Sequence, residues 1–95
     1  MPVRPFELLV LDLDGTLLHD GLELHPAQVK AFRQAMTRGL AVTLATGRMP
    51  RATNPYVAEL GITAPVIFYN GALVREPLSG VDLLSWTRCA ALDLP

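Results

Sequence analysis

Four apolar residues, Leu8, Leu9, Val10 and Leu11, run without a break into Asp12-Leu13-Asp14-Gly15-Thr16-Leu17-Leu18. A short continuous apolar run closed by turn residues fits a strand buried on both faces, the kind a parallel sheet contains. Asp12 then falls at the carboxyl end of a central strand, and Asp14 two residues beyond it. In open parallel α/β sheets, ligands bind outside those ends. Two carboxylates held there are costly to bury unpaired. A cation offsets that cost, and hard oxygen ligands suit Mg²⁺.

Asp-x-Asp-Gly by itself is also an ordinary loop, because Asp and Gly both favour turns. The Leu-rich strand before it and Thr-Leu-Leu after it favour the site reading. An EF-hand loop is excluded. Counting from Asp12, position twelve is Glu23, but position five is Thr16 and position six is Leu17, where a Gly is required.

Taken in order, residues 6–13 are the first strand and 15–24 a mixed-polarity connection. His19 and Asp20 in that connection read as solvated loop rather than as metal ligands. A helix starts at Pro26 with His25 near the cap, since Pro suits the first helical position. Val29, Phe32, Ala35 and Met36 recur at helical spacing as its inward stripe, and Gly39 ends it. Residues 40–45 are a second apolar strand, followed at once by Thr46-Gly47-Arg48. This repeats the arrangement of the first strand: an apolar run, then a polar tip. Thr46 alone reads as a turn or helix cap. The planar fork of Arg48 suits a phosphate or carboxylate.

Residues 50–60 form a second helical region. Pro55 is expected to break it, leaving a helix over 55–60 after a looser turn, with Gly61 as its cap. Residues 65–69 are a third strand ending in Asn70-Gly71-Ala72, which by itself reads as a hairpin turn. Residues 72–75 and 83–87 form two short antiparallel strands around a turn at 76–80. Trp86 is expected in the core. The fold class is therefore α/β: a parallel three-stranded, Rossmann-like sheet with flanking helices and a C-terminal β-hairpin.

Asp12-Leu13-Asp14-Gly15-Thr16-Leu17-Leu18 resembles the first motif of the haloacid dehalogenase superfamily. Ala45-Thr46-Gly47-Arg48 is similar to its second motif, and Asn70-Gly71-Ala72 resembles a segment of its Cof-type phosphatase branch. The resemblance runs from about Phe6 to Trp86. It implies that Asp12 is a nucleophile forming an aspartyl-phosphate, that Asp14 is the general acid and base, and that both hold Mg²⁺. It implies further that Thr46 and Gly47 bind phosphoryl oxygens and that Arg48, Asn70 and Gly71 contact the substrate, a sugar phosphate or related small phosphorylated metabolite. The chemistry is sound on its own terms. A carboxylate nucleophile divides one hard phosphoryl transfer into two easier steps, and a metal offsets the repulsion between anions.

The family also uses a later Lys and a second acidic segment, together with an inserted cap. Neither motif is found here. The one lysine, Lys30, lies on the outer face of a helix, and Asp82 and Asp93 are isolated. Residues 1–95 are therefore expected to be the N-terminal part of such a core, lacking the cap domain and the C-terminal half, and inactive alone. The alternative expectation is a non-catalytic module that self-associates or binds a partner through an unfinished sheet edge.

Composition adds exclusions. With 51% hydrophobic and 18% charged residues the chain reads as globular, not disordered. A formal net charge of −1 gives no electrostatic case for nucleic acid or an anionic membrane surface. No apolar stretch reaches the ~18 residues of a membrane span, and the N-terminus lacks a signal-peptide pattern. The single cysteine, Cys89, reads as an inert thiol and points to a reducing, cytoplasmic setting.

Overall fold

In the computed structural model residues 7–18 and 23–86 are described. Expectations resting on His19, Asp20, Cys89 and Asp93 lie outside the described residues. The elements are strand β1 (Leu8–Asp12), helix α1 (Pro26–Thr37), β2 (Ala41–Ala45), α2 (Pro50–Leu60), β3 (Val66–Phe68), β4 (Leu73–Arg75) and β5 (Asp82–Ser85). A 3₁₀ turn over Tyr69–Gly71 joins β3 to β4.

The α1 start follows from its first residues. His25 Nδ1 accepts the Ala27 N–H at 3.1 Å, and the Gln28 side chain accepts the His25 N–H at 3.4 Å. These bonds satisfy amide groups that a helix start leaves open. Phe32 is buried, and Val29, Ala35 and Met36 pack against the core, as the spacing predicts. The Arg33 guanidinium donates to the Glu59 carbonyl at 2.6 Å, joining α1 to α2.

The five strands form one sheet in the order β1-β2-β3-β4-β5. The first three are parallel, with Asp12 opposite Ala45 and Ala45 opposite Ile67. β4 pairs antiparallel with β3 and with β5, so the expected hairpin continues the parallel sheet. This register brings the carboxyl ends of β1, β2 and β3 to a common rim. Behind the rim, Val42, Leu44, Leu60, Val66 and Leu13 are fully buried at the centre of the core.

Three expectations need correction. β1 is an edge strand: Leu8, Leu9 and Val10 are 54%, 41% and 41% exposed. An apolar run reports what a strand prefers to bury, but burial on both faces needs neighbours, and among the described residues β1 has only β2. Pro55 does not break α2, which is continuous from Pro50. One lost amide bond is outweighed by the buried stripe Thr53, Tyr56, Val57 and Leu60 that the unbroken helix presents. Trp86 is 53% exposed rather than core, because β5 is the other edge of the sheet. No described helix is long and apolar enough to cross a membrane.

Candidate active site

Asp12 ends β1, and the chain then turns tightly. The Leu13 carbonyl accepts both the Leu17 and Leu18 amides, at 3.0 and 2.8 Å, and the Gly15 N–H donates to Leu18 at 2.7 Å. Gly15 sits at φ +81°, where a side chain would be strained. Leu13, Leu17 and Leu18 are buried. The turn is therefore pinned by its leucines, while Asp12, Asp14 and Thr16 stay exposed.

The second tip is attached to the third through the backbone. Thr46 N–H donates to the Ile67 carbonyl at 2.9 Å, Asn70 N–H to the Thr46 carbonyl at 2.9 Å, and Tyr69 N–H to the Arg48 carbonyl at 3.2 Å. Thr46 is buried, and its Oγ accepts the Arg48 N–H at 3.1 Å. It thus acts as the turn cap that the isolated residue suggested, yet its hydroxyl proton stays available for donation. A Cβ on Gly47 would meet the Asn70 side-chain oxygen at 3.0 Å, so a larger residue there would push the exposed Asn70 side chain aside by a few tenths of an ångström. The Gly47 N–H makes no hydrogen bond among the described residues. Gly71 shares the 3₁₀ turn with Asn70 but is not tied to Thr46 or Arg48.

Arg48 grips Asp14 with both arms of its fork. Nη2 donates to Oδ1 at 2.6 Å and Nε to Oδ2 at 2.9 Å. Its Cζ lies 5.7 Å from the centre of the Tyr56 ring, and the Tyr56 hydroxyl also interacts with it. The hydrogen bond from Arg48 holds the Asp14 carboxyl below the usual carboxylate range, outweighing a small desolvation effect. The Asp12 carboxylate makes no hydrogen bond or ion pair among the described residues. The two carboxylates are therefore unlike: one clasped, one open.

Sequence reasoning named Asp12, Asp14, Thr46, Gly47, Arg48, Asn70 and Gly71, but not the Asp14–Arg48 clasp or Tyr56 beside it. Tyr56 lies on the buried face of α2 with Thr53, Val57 and Leu60. Its eight-residue offset from Arg48, across a helix start, carries no readable signal. The clasp gives a pH prediction. A lowered folded-state pKa contributes stability above the ordinary carboxylate range and loses it as pH falls through the lowered value. Arg48→Met is therefore expected to raise the Asp14 titration midpoint, read by carboxyl ¹³C NMR. The stability change at neutral pH should be below about 1 kcal/mol, because the pair is largely solvated. An unchanged Asp14 midpoint would contradict the clasp.

A parallel sheet whose aligned tips present carboxylates, a hydroxyl, an open amide and a guanidinium belongs to the α/β proteins that hold small ligands at strand carboxyl ends. Residues 9–85 match the family described as haloacid dehalogenase-like hydrolase, and the chain belongs to that family. It is 34% identical over 77 residues to the 5-amino-6-(5-phospho-D-ribitylamino)uracil phosphatase YitU of Bacillus subtilis, covering 81% of this chain and 28% of that protein. It is 36% identical over 69 residues to the pyridoxal phosphate phosphatase YbhA of Escherichia coli, covering 73% and 25%. A crystal structure of a haloacid dehalogenase-like hydrolase from Bacteroides thetaiotaomicron superposes with a TM-score of 0.78 at 26% identity, over 84% of this chain and 31% of that one. The chain thus spans between a quarter and a third of the length of these relatives.

Proposed function

We propose that this chain is the amino-terminal, nucleophile-bearing part of a Mg²⁺-dependent phosphomonoester hydrolase acting on a small phosphorylated metabolite. The observation that carries the reading is the shared rim: an open Asp12 carboxylate on β1, in register with the strand that delivers Thr46 and Gly47. The phosphatase relatives and the family match support it. The span relative to those proteins supports an incomplete core, with cap and remaining strands supplied from outside residues 1–95.

In this reading the Asp12 carboxylate attacks phosphorus in line with the ester oxygen. A P–O bond forms to Asp12, and the bond to the leaving oxygen breaks. Released from Arg48 and protonated from solvent, Asp14 gives that proton to the leaving alkoxide, then takes one from the water that hydrolyses the aspartyl-phosphate. The Thr46 hydroxyl and the Gly47 N–H hold phosphoryl oxygens. Because Asp14 is ionised while clasped, an arriving phosphate has to draw Arg48 away before Asp14 can hold a proton. Asn70 and Gly71 border the place where the rest of the substrate sits.

The donor set fits Mg²⁺. Asp12 is an exposed, unengaged hard oxygen ligand, and Asp14 would join it once Arg48 is drawn away; Mg²⁺ is commonly held by one or two carboxylates with waters and phosphate oxygens completing the shell. Among the described residues no group of three His, Cys, Asp or Glu comes together, so water would supply the other positions. When bound, the ion neutralises charge on the phosphoryl group. The reading places the protein in the cytoplasm, on the strength of its single cysteine. Titration with beryllofluoride, a phosphoryl mimic, is expected to give a bound ¹⁹F resonance that requires Mg²⁺. No bound signal at saturating Mg²⁺ would end the proposal.

A second reading, a module acting by self-association or partner binding, is favoured by the open edge of β1. Beside it, Leu9, Leu11, Leu17, Phe32, Ala35 and Val42 border an apolar hollow of about 190 Å³. Between Glu7 and Asp12 the edge is wholly apolar, and such an edge invites another strand. Light scattering is expected to show mass rising with concentration, and Leu9→Lys should return the protein to monomer. A wild-type monomer at every concentration would remove this reading.

A further inference from the structure

Arg48 is held along its whole length. Its N–H donates to Thr46 Oγ at 3.1 Å, and its carbonyl accepts the Tyr69 N–H at 3.2 Å. At the tip of the side chain, Nη1 makes a long bond to the Ala52 carbonyl at 3.4 Å, and Cζ lies 5.7 Å from the centre of the Tyr56 ring. Both partners belong to α2, and Tyr56 is only 9% exposed. The first turn of α2 is itself fixed: Thr53 is fully buried, and its hydroxyl donates to the Met49 carbonyl at 3.0 Å. Nε and Nη2, on the other edge of the guanidinium, grip Asp14. One edge is thus tied to a helix and the other is turned to a carboxylate. The Asp14 side chain is 56% exposed, against 25% for Arg48. An ion pair that open contributes at most about fivefold to an equilibrium. A phosphate monoester offers the same fork two oxygens and more negative charge. The fork is therefore free to change partner when a phosphate arrives.

We propose that Asp14 occupies the place of phosphate on the Arg48 fork, and that Tyr56 keeps the fork at the rim when the two exchange. The proposal rests on the phosphatase reading above and adds a regulation of its metal site. With Arg48 closed on Asp14, only Asp12 of the two offers Mg²⁺ an open carboxylate. Phosphate taken up by the fork frees the second. Mg²⁺ and phosphate therefore each raise the other's affinity, and by the same factor, as linkage requires. The two-carboxylate site stays incomplete until a phosphate is present. Tyr56 acts through Arg48 and is a positioning residue. Without its ring, the released guanidinium would keep only the 3.4 Å bond to Ala52.

Mg²⁺ and inorganic phosphate are the probes, titrated singly and together by calorimetry, with the Arg48 Nε–H followed by ¹⁵N NMR. Arg48→Met is expected to tighten Mg²⁺ alone by about threefold, because no clasp opposes Asp14. In an Asp14→Asn background the same change should leave Mg²⁺ affinity unaltered. Tightening that persists there is a plain charge effect and overturns the proposal. In the wild-type chain, phosphate is expected to shift the Arg48 Nε–H resonance, while NOEs between the Arg48 δ protons and the Tyr56 ring remain. Loss of those NOEs means that Tyr56 is no tether, and the proposal goes with it. Tyr56→Leu should weaken phosphate about threefold without tightening Mg²⁺, and Tyr56→Phe should restore it. If Mg²⁺ and phosphate both bind, but neither alters the other's affinity and Arg48 does not shift, the proposal is overturned and the phosphatase reading stands. Phosphate that never binds at saturating Mg²⁺ ends both.

Discussion

Asp12→Asn is expected to abolish the Mg²⁺-dependent beryllofluoride signal. In a protein completed by the remaining core it is expected to reduce phosphate-ester hydrolysis by at least about a thousandfold, the scale seen when a covalent nucleophile is removed. The two carboxylates near the rim are not interchangeable. Asp14 is held by two charge-assisted hydrogen bonds to Arg48, and its lone pairs are engaged. Asp12 stands at the strand end with its oxygens open. Only an ionised, unengaged oxygen can approach phosphorus in line. Asn keeps the shape and removes the nucleophile, so the fold should be unchanged by circular dichroism. Phosphate binding can even tighten, because one negative charge facing it is gone. A variant that still gives the bound ¹⁹F resonance would move the nucleophile elsewhere.

The largest loss of stability is expected at Leu44. It lies in β2, one residue from the carboxyl end, is fully buried, and its strand is paired on both sides. The surrounding backbone therefore has little freedom to close a cavity. Leu44→Ala should cost about 2–5 kcal/mol. A domain as small as this one has a modest reserve, within or below the usual ~5–15 kcal/mol. Urea denaturation is expected to show the midpoint falling by one to a few molar, with slopes near ~1–3 kcal/mol per molar. Leu78→Ala is the contrast. Leu78 is 82% exposed, and its loss should change stability by no more than about 0.5 kcal/mol. Similar midpoints for the two variants would mean that β2 is not the centre of the core.

The candidate site was legible in proportion to how local its causes are. Gly15, Gly39 and Gly61 were expected to punctuate the chain and do so, each at positive φ. His25 and Pro26 start α1 as their chemistry suggests. The apolar runs became β1, β2 and β3, with a residue or two trimmed from their ends. Pro55 is a helix breaker only in isolation, because the stripe it interrupts outweighs it. Three turns of helix burying Tyr56, Val57 and Leu60 tolerate one missing amide. Trp86 departs from the core position its size suggests because it follows an edge strand of the sheet.

What the sequence determined by itself is the set of strand tips and the residue types they carry, since apolar runs, proline starts and glycine stops act over a few neighbouring residues. What only the tertiary structure decided is which groups meet. Parallel register set Asp12 beside the Thr46 strand. The reach of Arg48 across 34 residues of chain separated an engaged Asp14 from an open Asp12. Among the described residues, the order of strands left β1 with one open side. These are through-space outcomes, fixed by packing between segments far apart in the chain, and no pattern within a single segment records them.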